Sequence, residues 1–204
     1  MILLKVLIYL RLKKGEMIKM KKVLQYSGII SLVLGAVAFI LMFATHSLAY
    51  SAETTVLGVK TTATGWYDGV SAIFGKGTSY ASGSFGGFSG EGTSEFSGNL
   101  AWNALLAWIF ILAALIILLL GVVLPIFNVK ALDRFSGVLN LVSIGLLVVA
   151  GVLLFFTLPT FAGANEWGSQ DNWSLGAGWI IAAILAIAGG VFAALPTIAN
   201  FVKK

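Results

Sequence analysis

Residues 96–129 read FSGNLAWNALLAWIFILAALIILLLGVVLPIFNV, 34 residues without a single Asp, Glu, Lys or Arg. A hydrocarbon core about 30 Å thick is crossed by roughly 20 residues of helix, so this stretch predicts a membrane span with length to spare. Three further charge-free runs, 23–52, 135–165 and 172–202, contain 30, 31 and 31 residues. In lipid the backbone must satisfy its own hydrogen bonds, and runs this rich in Leu, Ile, Val and Ala do so as helices. The expected fold is therefore an all-α membrane protein, a four-transmembrane-helix bundle with helices at about 27–49, 100–127, 136–159 and 176–200. A long extracellular loop, 50–98, follows the first helix and has room for a short β-hairpin.

Composition points the same way. Of 204 residues, 59% are hydrophobic and 10% are charged, with a mean hydropathy of +0.99, whereas about a quarter of the residues of a soluble domain are charged. A soluble enzyme, a nucleic-acid binder and a disordered chain are disfavoured on that ground. The absence of cysteine removes disulfides, thiolate nucleophiles and Cys-ligated metals. The expected partners are the lipid bilayer and either the chain itself or another membrane protein; no nucleic acid, cofactor, metal or small-molecule substrate is expected.

The basic residues orient the spans, because short cytoplasmic loops concentrate Lys and Arg. Eleven of them fall on one side: Lys5, Arg11, Lys13, Lys14, Lys19, Lys21 and Lys22 before the first helix, Lys130 and Arg134 between the second and third, and Lys203 and Lys204 at the end. The opposite connections carry Lys60 and Lys76 with six of the eight acids. This predicts a multi-pass plasma-membrane protein with both termini cytoplasmic. Residues 1–22 form a basic amino-terminal segment, cytoplasmic or interfacial, and a start at Met17 or Met20 is an equal reading. From there, MKK, an apolar run and Ser47-Leu48-Ala49 also have the form of a cleavable signal, against which stand the length of the run and an internal repeat.

In that repeat, Lys22–Val33 parallels Lys130–Val142 with Arg134 inserted, sharing Lys, Leu, Ser-Gly and Leu-Val elements. The second and fourth helices match at a constant offset of 71, pairing Trp102 with Trp173, Trp108 with Trp179 and Pro125 with Pro196. The four tryptophans are read as interface anchors, and the two copies as tandem parallel helix hairpins. Small residues at four-residue spacing, Ser27, Ser31 and Gly35 in the first helix and Ala182, Ala186, Gly190 and Ala194 in the fourth, predict close helix packing. Asn140 and Ser143 are the polar side chains of the third helix placed to bond between helices, and the second helix, dense in large residues, is expected to face lipid.

The long loop divides in two. Residues 53–75, which include Trp66 and Tyr67, have β-branched clusters around glycines and predict a short hairpin and a helical turn, whereas 76–98 are Gly and Ser interrupted by Tyr80, Phe85, Phe88 and Phe96, flexible by composition. These six rings are the candidate partner-binding surface. The single histidine, His46, makes neither a metal cluster nor a triad, and no Asp, Glu, Lys or Arg lies inside a span. The layout of four spans, a long first loop and a short second one is similar to that of claudin-like tetraspan proteins. The likeness is architectural: Gly65-Trp66-Tyr67 stands where their Gly-Leu-Trp would, the loop cysteines are absent, and no residue role carries across. The expected function is a non-enzymatic structural or accessory membrane subunit presenting its loop for assembly; the rival is a small oligomeric channel or carrier using Ser31, Asn140 and Ser143.

Overall fold

A computed structural model describes residues 14–123, 130–167 and 169–202; residues 1–13 of the amino-terminal segment and Pro125 lie outside them. Four long helices are present: α1 (Lys14–Ala44), α3 (Trp102–Val123), α4 (Lys130–Phe155) and α6 (Ala177–Val202). Each holds a stretch of 18 or 19 residues long and apolar enough to cross a membrane, and the chain is a membrane protein. The helices close into a ring in the order α1, α6, α4, α3 and back to α1.

The all-α expectation is overturned. Residues 46–97 are not a loop but four strands, β1 (His46–Val56), β2 (Val59–Asp68), β3 (Lys76–Phe85) and β4 (Phe88–Ser97), with the short helix α2 (Gly69–Phe74) between β2 and β3. A fifth strand, β5 (Trp173–Leu175), comes from the connection after α4, which also forms α5 (Thr157–Ala164). Together they make one antiparallel sheet in the order β4-β3-β2-β1-β5, so the protein is mixed α/β.

The physical reason lies in how little apolar surface an exposed sheet needs. Backbone pairing closes the ladder whatever the side chains, and small hydroxyl residues pair across it: Thr62 with Ser84 at 2.7 Å, Thr64 with Ser82 at 2.8 Å and Ser79 with Ser94 at 2.9 Å. Two-residue loops with positive φ at both positions, Leu57-Gly58 (53° and 79°) and Gly86-Gly87 (55° and 87°), set the hairpins. That backbone twists with the flanking strands and favours glycine. The Gly/Ser half of the loop is thus a regular hairpin in which Lys76–Phe85 pairs residue by residue with Phe88–Ser97.

The first helix also ends earlier than its apolar run. Residues 46–49, read as helix, are strand, and Leu48 is fully buried there. The core runs from the bundle into the base of the sheet: Ala38 and Met42 of α1, Ala104, Ala107, Ile111, Ala114 and Leu118 of α3, Leu147, Ala150 and Leu154 of α4, and Trp179, Ala182, Ala183 and Ala186 of α6. The buried face of α3 is an alanine stripe, while its large residues Ile109, Ile116, Leu119 and Leu120 point outward.

Candidate contact surface

The close of α1 and the start of α6 meet β1, the start of α3 meets α2, and the junction is held by backbone contacts that only glycine allows. A Cβ on Gly69 would sink into the Met42 carbonyl, and one on Gly176 into that of His46. The Gly176 amide donates to the Ser47 carbonyl (2.8 Å), the Ser47 hydroxyl to that of Asp68 (2.7 Å), and the Trp179 indole to that of Met42 (3.1 Å). Asp68 caps α2. Its Oδ1 accepts from the Ser71 amide and hydroxyl (2.7 and 2.6 Å) and its Oδ2 from the Thr78 amide (2.9 Å), so one carboxylate joins β2, α2 and β3. Gly75 ends α2 at φ 71°. On the far side Asn99 and Asn165 bond reciprocally, the Asn99 amide to Asn165 Oδ1 (2.8 Å) and Asn165 Nδ2 to the Asn99 carbonyl (2.9 Å).

Alternation divides the sheet into two faces. On one, the proximal residues Leu48, Tyr67, Phe96, Trp173 and Leu175 pack towards the bundle. Tyr67 is the hub of this cluster, with ring centroids 4.8 Å from Phe96, 5.3 Å from Phe161, 5.6 Å from Trp173 and 5.9 Å from Trp167. Burial among these rings disfavours the phenolate and raises the Tyr67 pKa above its ordinary value. Further out the same face is bare, with Ala52, Ala63, Ala81, Gly83, Gly90 and Gly92 in register. It then carries Val56, Val59, Phe85 and Phe88 at the two hairpin tips.

The other face is hydroxyl-rich and holds a row of stacked rings, His46 on Trp66 (4.1 Å) and Trp66 on Tyr80 (5.5 Å), with the Tyr80 hydroxyl donating to Glu91 (2.8 Å). Strand β4 is an open edge. Glu91 and Glu95, both exposed, lie along it, and charges on an edge discourage pairing with another strand.

The six candidate rings therefore separate. Trp66, Tyr67, Tyr80 and Phe96 are partly buried parts of the sheet's own structure, whereas Phe85 and Phe88 are 51% and 83% exposed. The more exposed residue, Leu57 at 96%, carried no signal in a reading based on rings. Of the tryptophans, Trp102 opens α3 half-exposed, Trp108 stacks on Phe39, Trp173 lies in β5 rather than in a helix, and Trp179 is fully buried.

Within the bundle, Ser27, Ser31 and Gly35 are buried in α1 and Ala182, Ala186 and Gly190 in α6, with Ala194 partly so. Ser31 donates to the Gly189 carbonyl and Asn140 to that of Ala193, both at 2.7 Å. These two positions correspond in the repeat, and both tie to α6 four residues apart. The Ser143 hydroxyl turns back to the Asn140 carbonyl (2.8 Å). Sequence reasoning missed Gly151, whose absent side chain admits Ala183 and Ile187. It also missed Asn103, a buried amide that donates to the Leu153 carbonyl (2.8 Å) and accepts from Thr160.

The chain matches no protein-family model and no curated protein sequence. The likeness to claudin-like tetraspan proteins rests on layout, without a sequence match beside it.

Proposed function

We propose that this is a non-enzymatic membrane protein whose bundle packs laterally with copies of itself or another membrane protein and holds the sheet out on the extracellular side as a contact surface. The observation that carries this reading is the construction of the sheet: its base is locked to the bundle by the Tyr67 cluster and by Asp68, while its distal half keeps both faces uncovered. A surface fixed in orientation loses little entropy on binding. The charge distribution supports an orientation with the termini and the start of α4, with Lys130 and Arg134, in the cytoplasm and the sheet outside a plasma membrane. The polar groups on which conduction would depend support the structural reading, since Ser31 and Asn140 donate to helix carbonyls, as interhelical polar residues do.

The test uses the natural lack of cysteine. A single Ser89→Cys or Ser51→Cys substitution places a thiol on an exposed strand position. A bifunctional thiol reagent applied to intact cells, followed by purification in mild detergent, should give a stoichiometric cross-linked species at one or both. No cross-link at either, together with solute flux in liposomes that is lost on Asn140→Leu, would replace this reading by conduction.

A further inference from the structure

Resting on that reading, we infer that the two hairpin tips are a lipid-inserting edge, whose target is the outer surface of a bilayer facing the protein. The tips lie side by side: Thr61 pairs with Phe85, and a Cβ on Gly86 would meet Val59 at 3.8 Å. Together they present Leu57 at 96% exposure, Phe88 at 83%, Phe85 at 51% and Val56 at 45%. Leu57 occupies a left-handed turn position, φ 53°, where Asn or Gly is at ease and a branched apolar side chain is not. An unfavourable backbone that holds a bare leucine in water has no purpose among the described residues, none of which covers it.

Three observations select lipid over protein. The exposed apolar area of the tips is on the order of 500 Å², and two convex ends meeting bury only part of it, well short of the ~1,200 Å² of a specific stable protein interface. A bilayer interface needs no matching shape, so a few rings and a leucine suffice. Residues 54–59 and 84–90 are uncharged; of the flanking charges, Glu53 and Lys60 pair at 3.0 Å and Glu91 accepts from the Tyr80 hydroxyl at 2.8 Å. The collar behind the tips is Thr54, Thr55, Thr61, Ser84 and Ser89, hydroxyls suited to a headgroup layer. Reach selects the facing bilayer over the protein's own. Ten-residue strands at about 3.3 Å per residue extend roughly 30 Å, only the proximal ends pack on the helices, and a headgroup layer is only about 6 Å deep.

The experiment uses the full chain in phosphatidylcholine nanodiscs, labelled at Ser89→Cys with an environment-sensitive fluorophore, and protein-free phosphatidylcholine vesicles carrying nitroxide lipids. Adding vesicles should shift the emission to the blue and quench it, and the vesicles should co-float with the discs. Leu57→Asn combined with Phe88→Ser should lower apparent vesicle affinity at least tenfold. Leu57→Asn alone should weaken binding while leaving thermal stability equal or higher, since Asn suits the turn, which separates lost insertion from misfolding. Quenching by nitroxides placed in the protein's own disc, or no response to vesicles, would each overturn the inference. Cross-linking at Ser89 to a protein partner without any vesicle response would overturn it while leaving the sheet as a contact surface. Neither signal, with no cross-link at Ser51 and with flux lost on Asn140→Leu, would remove both.

Discussion

Replacing Gly151 by alanine tests the bundle at its tightest point between α4 and α6, the pair with the most extensive helix contact. The added Cβ would lie 2.6 Å from Ile187 Cγ1 and 2.7 Å from the Ala183 carbonyl oxygen, and a carbonyl within a helix cannot rotate aside. The two helices must part by several tenths of an ångström, which costs about 1–3 kcal/mol, as overpacking of a filled core does. At 1.4 kcal/mol per decade, the ratio of folded to unfolded protein falls about 5- to 150-fold. At Gly190 the nearest atoms are Val148 Cγ2 at 2.7 Å and the Ile144 carbonyl at 3.2 Å. A side-chain methyl yields more readily, so Gly190→Ala should cost about 1 kcal/mol. Gly35→Ala meets a flexible Leu115 methyl at 3.0 Å and should cost less again, while Gly145, with nothing within 4 Å, should accept alanine without loss. Unfolding by graded addition of a denaturing detergent to mixed micelles, followed by tryptophan fluorescence, reads all four on one scale. If Gly151→Ala unfolds together with Gly145→Ala, the approach of α4 to α6 described above is wrong.

Single cysteines at Ser84 and Ser169 should label with an impermeant thiol reagent in intact cells and one at Ser136 should not; labelling at Ser136 alone reverses the topology. Tyr67, whose pKa is raised by burial, favours folding as the neutral phenol. Its contribution is whole below the ordinary value of about 10 and is lost as pH climbs through the raised one. Stability measured from pH 8 to 12 should therefore fall less steeply in Tyr67→Phe than in wild type, and equal slopes would refute the assignment. Asp68→Ala removes the cap of α2 and strands the Thr78 amide, so it should cost about 1–2 kcal/mol. Limited proteolysis should then cut between β2 and β3 first, and cutting at the β3–β4 turn instead would place the weak point elsewhere.

The spans were legible because lipid imposes one rule on every residue: a charge at mid-depth is costly, so its absence over 30 or more positions is a signal in itself. A sheet in water imposes no comparable rule. Along FSGEGTSEFS, the β4 sequence, both faces carry small or polar residues, and hydropathy does not distinguish such a strand from a tether. Its signal was local: Phe85-Gly86-Gly87-Phe88 is a Gly-Gly turn between two residues that become partners. The pairing of β5 with β1 joins Leu48 to Leu175 across more than a hundred residues, and no local pattern carries that information. The early end of α1 was hidden for another reason. Leu48 is as apolar as a helix residue because it is buried as a strand residue.

The aromatic residues show why spacing did not separate structure from surface. Phe85, Phe88 and Phe96 fall within twelve residues in a similar Gly/Ser background, yet Phe96 packs on Tyr67 and Phe161 while Phe88 stands 83% exposed. What separates them is distance from the turn. In a hairpin rooted on a bundle, residues at the strand ends near the root reach the core, and residues at the turn reach whatever lies beyond the sheet. Phe96 sits at the root and Phe88 at the turn, so they belong to different interactions despite equal chemistry. Substituting all four loop rings at once would confound the two, because Tyr80 and Phe96 support the sheet that presents Phe85 and Phe88. Ring changes at the root should therefore lower stability and binding together, and changes at the tip should lower binding alone.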